Sequence, residues 1–194
     1  MSEYLSFFSQ FIRRPKQMGA LVPSSTQLGS VMVSKASLRP GMFVVELGGG
    51  TGSITRNIVA DAPHCPLWVL EPNPELACRL LEKFTNIEVF CQGVEALPQI
   101  IAECQTGYVD RVISSLPWAV WSKEEQNRRL NAVCSVMMPS SRFITFQYAH
   151  SRLLPNARRF ESLLEKRFGI VEKTDIQWRN LPPAFVYVCR ELSH

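Results

Sequence analysis

Ten residues constrain this chain more than any others: Val44-Val45-Glu46-Leu47-Gly48-Gly49-Gly50-Thr51-Gly52-Ser53. An apolar, β-branched run meets a glycine-rich turn, and a helical pattern follows it to about residue 61. Glycine lets a backbone turn sharply and lets a ligand approach it closely, so this is a strand–loop–helix unit that binds a small molecule. A dinucleotide fingerprint would space its glycines as G-x-G-x-x-G and set a pyrophosphate on the helix N-terminus. Here the order is Glu46-x-Gly48-x-Gly50-x-Gly52, which points to a different ligand.

Strand and helix patterns alternate from Gly41 onward. Strands are expected over residues 42–47, 67–70, 87–91, 111–115 and 143–148, with helices between them. Asn73-Pro74 reads as N-cap and first helical residue, and Ser122-Lys-Glu-Glu125 as a capping box. Asn156 is expected to cap a further helix, and Ser24-Ser25-Thr26-Gln27 to open one running toward Val33. The last two strands, 170–178 and 185–189, are joined without room for a helix and must pair antiparallel. The expected fold is α/β: a doubly wound, mostly parallel seven-stranded sheet closed by an antiparallel hairpin, with helices ahead of it. Residues 1–40 form an N-terminal helical segment, and 41–194 the ligand-binding domain.

The glycine spacing resembles the first motif of class I methyltransferases, in which the loop packs under the methionine and ribose of S-adenosylmethionine. That resemblance places Glu46, Gly48, Gly50 and Gly52 at the cofactor. Glu71 ends the next strand, where a carboxylate can accept both ribose hydroxyls. Methyltransferases often carry Gly-Asp-Ala after the third strand, beside the adenine amine. This chain reads Gly93-Val94-Glu95-Ala96. Glu95 either takes that place from one position later or is a solvated residue of a first helical turn.

Strand four ends Ser114-Ser115-Leu116-Pro117-Trp118. In amino-group methyltransferases the comparable turn carries a short polar residue, a proline and an aromatic. Methyl transfer is an in-line displacement, so the nitrogen lone pair must point at the methyl. Oxygens in a rigid turn can take the amine hydrogens and fix that direction. The Ser115 hydroxyl and Leu116 carbonyl suit this role, and Trp118 either walls the pocket, facing a cationic nitrogen, or sits in the core. Tyr148 and His150 fall at the end of strand five, on the ligand edge. Either can take a proton from a substrate ammonium or serve as a packed structural residue.

The whole chain is similar to bacterial phospholipid N-methyltransferases of the short type, which resemble rRNA adenine dimethylases in their cofactor half. The markers are Arg14-Pro15-Lys16, Gly19 through Ser25, Glu46 through Gly52, Ser115-Leu116-Pro117 and Asn180-Leu181-Pro182-Pro183-Ala184. The resemblance implies successive methylation of phosphatidylethanolamine to phosphatidylcholine at the inner membrane face, with Ser25 and Asn180 near the substrate. Residues 3–16 support it: Tyr4, Leu5, Phe8, Phe11 and Ile12 share a helix face bordered by Arg13, Arg14 and Lys16. That face suits the headgroup region of an anionic leaflet, or a lid packed over the sheet.

Composition narrows the alternatives. No apolar run approaches the ~20 residues that cross a bilayer, and no secretory leader opens the chain, so a cytoplasmic protein with peripheral membrane contact is expected. A net charge of +4 is low for a protein that tracks a nucleic-acid backbone. An RNA adenine methyltransferase would also normally carry Asn or Asp in place of Ser115. A small-molecule N- or O-methyltransferase on the same scaffold stays open. The six cysteines, Cys65, Cys78, Cys91, Cys104, Cys134 and Cys189, form no C-x-x-C pair and have apolar neighbours. Buried free thiols are expected, and no metal site.

Overall fold

The computed structural model describes residues 22–193, with side chains from Gln27 onward. The helix expected over 3–13, the cations Arg13, Arg14 and Lys16, and the side chain of Ser25 lie outside the described residues.

Seven strands make one sheet: β1 (Val44–Leu47), β2 (Leu67–Leu70), β3 (Glu88–Phe90), β4 (Val109–Ser114), β5 (Met137–Tyr148), β6 (Phe168–Lys173) and β7 (Ala184–Leu192). Their order is β3-β2-β1-β4-β5-β7-β6. β7 pairs antiparallel with both β5 and β6, and the other pairings are parallel. Strand order reverses between β1 and β4, so both glycine loop and strand-four turn emerge at the switch point, where open α/β sheets bind ligands.

Helices α1 (Val22–Ala36), α2 (Ser53–Asp61), α3 (Pro74–Lys83), α4 (Leu97–Cys104), α5 (Lys123–Cys134) and α6 (Pro155–Arg167) complete the fold. The two-residue period of the strands divides the core. Val45, Leu47, Trp68, Leu70, Phe143 and Tyr187 pack with Leu97, Leu130 and Phe160 of α4, α5 and α6. Val44, Val69, Ile113, Ile144 and Val186 pack with Met32, Ile58 and Leu80 of α1, α2 and α3. The α1 end is tied down as well: Arg111 Nε donates to the Ala36 carbonyl at 2.8 Å, and Arg142 Nη1 to Ser37 Oγ at 2.8 Å.

Two caps stand where the sequence puts them. Asn73 Oδ1 accepts from the Glu75 and Leu76 amides, and Ser122 and Glu125 form the reciprocal capping box. Several boundaries differ. Ser24 lies inside α1 instead of at its cap, because the helix already runs through Pro23 in its first turn, where a missing N–H costs nothing. Asn156 is not a cap either. Leu154 holds that position, Pro155 opens α6, and Asn156 Oδ1 accepts from Arg159 Nη1.

β5 begins at Met137, six residues before Phe143, and runs past Pro139. This first half pairs with β4 alone through a register shift, and Ser141 Oγ bridges the irregularity, accepting from the Met138 amide and donating to the Val109 carbonyl. β6 stops at Lys173, because the Thr174 hydroxyl takes the Val186 amide in place of the next ladder bond. Gln177 then returns as a single bridge to Ala184. Three of the six cysteines depart from expectation. All six are free, but Cys78, Cys91 and Cys104 are exposed, since α3, the end of β3 and α4 turn those positions outward.

Candidate active site

Gly48, Gly50 and Gly52 have φ of +83°, +53° and +82°, the left-handed region that favours glycine. Their surroundings separate their roles. A Cβ on Gly49 would stand 2.4 Å from Val69, and one on Gly48 2.8 Å from Ser115 Oγ, so those glycines serve close packing. A Cβ on Gly50 would meet nothing within 4 Å: the loop leaves that side open. Gly52 is the N-cap of α2.

Glu71 is buried and grips the loop. One oxygen accepts from the Gly50 amide at 2.8 Å and the other from the Asn73 amide at 2.9 Å, so a single carboxylate fixes the glycine turn to the start of α3. Lys83, at the other end of α3, donates to the Thr51 carbonyl at 2.9 Å. The sequence singles out Glu71 but not this clamp, which depends on two amides 23 residues apart.

Glu46 is the opposite case. Its side chain is fully buried and neither oxygen has a hydrogen-bond partner. Burial pushes its pKa up to about 8, and Thr55 of α2 opposes that rise without reaching hydrogen-bonding geometry. Glu95 is held by α5: Oε1 accepts from Arg129 Nε at 2.8 Å and Arg128 Nη2 at 3.1 Å. Burial opposes ionisation there, but the hydrogen bonds, the two guanidinium bonds among them, win and hold the pKa down. Both alternatives read from the sequence omitted these ion pairs.

The strand-four turn is joined directly to the glycine loop. The Ser115 amide donates to the Leu47 carbonyl at 2.9 Å, and its hydroxyl to the Gly48 carbonyl at 2.5 Å. The hydroxyl proton is thereby used, and the oxygen keeps lone pairs with which to accept. Behind it Ser114 Oγ accepts from Trp118 Nε1 at 3.0 Å and from the Leu116 amide at 3.3 Å. Trp118 is only 2% exposed, stacked on Phe160 with centroids 4.7 Å apart. Both readings of Trp118 find a place: it is packed in the core on Phe160, and it also lines the cavity described next, as its floor.

A cavity of about 390 Å³ opens over this turn. It brings together Ser115, Leu116, Tyr148 and His150, with Phe146 and Pro182. Tyr148 stacks on His150 at 5.7 Å and meets the edge of Phe146 at 5.4 Å. Burial pushes the Tyr148 hydroxyl up to about 12, so it keeps its proton at neutral pH. His150 is exposed at the mouth. Phe146 escaped sequence reasoning; the alternation Ile144, Phe146, Tyr148 along β5 is the signal that would have found it. Asn180 is buried beside the site, and its amide nitrogen is committed to the Pro182 carbonyl at 2.6 Å, shaping the loop that carries Pro182 into the cavity wall. Among the described residues no cluster of three or more His, Cys, Asp or Glu could hold a metal.

No protein-family profile matches the chain. Among solved structures it resembles the precorrin-6y C5,15-methyltransferase of Geobacter metallireducens, with a TM-score of 0.62 and 16% identity over 85% of this chain and 88% of that one. It also resembles the mycolic acid cyclopropane synthase CmaA1 complexed with SAH and CTAB, with a TM-score of 0.52 and 17% identity over 72% of this chain and 50% of that one. Sheet order and these likenesses show the Rossmann-like methyltransferase fold. The ornithine lipid N-methyltransferase of Singulisphaera acidiphila is 32% identical over 98% of this chain and 97% of its own length, and the chain belongs to that family.

The residues present fit S-adenosylmethionine. The loop is open at Gly50, and Glu46 is an unpartnered acid beneath it, while the cofactor carries cationic groups. Without a cation nearby, the stability that Glu46 contributes is fully present below the unfolded pKa of 4.5 and lost as pH rises through about 8, because the unfolded chain releases a proton that the folded one keeps. Across that window the wild type should lose about 1.4 kcal/mol per pH unit from this residue, and Glu46→Gln should not. Urea titrations of both proteins at about pH 5.5 and about pH 7.5 check this; equal pH slopes would show that the Glu46 carboxyl already meets water or a cation.

Proposed function

We propose that this chain transfers the methyl group of S-adenosylmethionine to the amine of a lipid headgroup, phosphatidylethanolamine and its methylated intermediates included, ending at phosphatidylcholine. The observation that carries the proposal is the cavity itself. Its walls are mostly apolar and its polar end, Ser115, is bonded to the cofactor loop. The family relative is named for an ornithine lipid, and ornithine and ethanolamine headgroups share a primary amine.

The bound cofactor supplies an electrophilic methyl on a sulfonium. For that methyl to be taken up, the headgroup ammonium would first have to give up one proton in each cycle, the third cycle ending at a quaternary nitrogen that carries no N–H. The Ser115 oxygen and the Leu116 carbonyl accept N–H bonds from the primary and monomethylated amines and aim their lone pair. His150, exposed at the mouth, receives the proton and passes it to water, while Tyr148 stays protonated. Phe146, Tyr148 and His150 present an aromatic wall to an ammonium that grows more methylated with each cycle, the role first read for Trp118. Glu71 holds the loop and accepts from the ribose; Gly48, Gly50 and Gly52 keep the backbone clear. Glu95 stays a candidate for the adenine amine through Oε2, the oxygen its ion pairs do not use. Ser25 and Asn180 stay candidates for the substrate side on the family resemblance.

Two measurements follow. Labelled cofactor incubated with separate pools of lipid, RNA and soluble metabolites should deliver its label to the amine lipids; label in RNA or soluble amines alone would overturn the substrate assignment. Glu71→Ala should weaken cofactor binding by about 1.5–3 kcal/mol, the scale of losing hydrogen bonds to a charged acceptor, and Glu71→Gln by less. Calorimetric affinity unchanged in Glu71→Ala would remove Glu71 from the cofactor site.

A further inference from the structure

Among the described residues five large hydrophobic side chains stand exposed: Leu81, Tyr108, Leu153, Trp178 and Leu181. Three of them cluster on two short segments. Leu153 is 76% exposed in the 3-10 turn that follows β5, while Trp178 and Leu181 are 72% and 52% exposed in the loop between β6 and β7. The segments are bonded to each other, the Ala149 amide donating to the Pro183 carbonyl at 2.8 Å. Both also line the proposed acceptor cavity, through Ser151 and Leu154 on one side and Pro182 on the other. The apolar tips therefore stand on the rim of that cavity.

Cations flank them. Arg152 and Arg179 are exposed immediately next to Leu153 and Trp178, and Arg158 is exposed in the adjoining cleft. The acids here are Asp175, exposed in the same loop, and Glu161, which is bound to Lys173 and to the Tyr187 hydroxyl. Leucine and tryptophan tips set among arginines match the chemistry of an anionic lipid interface: the tips enter the acyl boundary and the guanidiniums stay among phosphates. A water-soluble substrate needs no such rim.

We infer that this rim docks the protein on an anionic bilayer with the cavity mouth facing the headgroups, so that a lipid amine enters without leaving the membrane. This deepens the lipid-amine reading, and it assigns membrane contact to residues distinct from the segment 3–16 singled out in the sequence. Of the other three tryptophans, Trp68 and Trp118 are buried and Trp121 is half-buried against Trp118 and Arg129, so the exposed Trp178 is a built-in depth probe.

The test uses the full chain and phosphatidylcholine–phosphatidylglycerol vesicles carrying brominated acyl chains. Vesicles should quench wild-type tryptophan fluorescence, and Trp178→Phe should lose most of that quenching while still sedimenting with them. The triple variant Leu153→Ser, Trp178→Ser, Leu181→Ser should bind these vesicles at least 10-fold more weakly, with wild-type cofactor affinity and wild-type methylation of a detergent-dispersed lipid amine. Quenching that persists in Trp178→Phe, or vesicle binding unchanged in the triple variant, overturns the docking surface even if lipid amines are methylated. Methylation of no lipid amine by wild type overturns the substrate reading, and the quenching experiment still decides the rim.

Discussion

The site depends on one junction, where the glycine loop after β1 meets the turn after β4. Two hydrogen bonds from a single residue close it: the Ser115 amide to the Leu47 carbonyl and the Ser115 hydroxyl to the Gly48 carbonyl. Because β1 and β4 are neighbours at the point where strand order reverses, the two loops must leave the sheet side by side. Gly48 has no side chain because Ser115 Oγ fills the space where one would go. The glycine loop is thus set from one side by Ser115 and from the other by Glu71. A ligand on one loop is placed relative to a ligand on the other without a long lever between them.

The support beneath this junction is apolar and aromatic. Trp118 anchors the acceptor turn through Ser114 Oγ and is itself stacked on Phe160 of α6. Gln126 of α5 ties the Trp118 carbonyl to the Asn156 carbonyl, each at 2.8–2.9 Å, so helices from separate crossovers converge on the same turn. Such packing holds rotamers fixed, which is what orientation of a nucleophile requires. Glu46 is a costly group: both of its buried carboxyl oxygens lack partners. A buried carboxyl without partners destabilises the protein when ionised, and Glu46 stands two residues before the first glycine of the loop.

Much of this was legible in the sequence. Glycine spacing, the acid ending β2, the Asn73 and Ser122 caps and the hairpin without a helix are local signals, and each describes its own neighbourhood. What was not legible depends on residues far apart in the chain. The sequence pattern opens the fifth strand at Phe143, yet β5 begins at Met137 and runs through Pro139, with Ser141 repairing the ladder on β4. Asn156 looked like a cap, yet Pro155 had already started the helix. Trp118 was open between wall and core, and it takes both places, stacked on Phe160 and lining the cavity. Glu95 met two arginines from a later helix. Asn180 gives its amide nitrogen to the Pro182 carbonyl two residues on, a local bond that no sequence pattern announces.

The central claim is that Ser115 sets the acceptor against the donor and does more than close a turn. Single-turnover methyl transfer by Ser115→Ala, with cofactor saturating and a dispersed lipid amine as acceptor, tests it most directly. The account predicts a rate about 100-fold below wild type, the scale of a misplaced reacting group, with the protein folded and cofactor still bound. A wild-type transfer rate in that variant would contradict it.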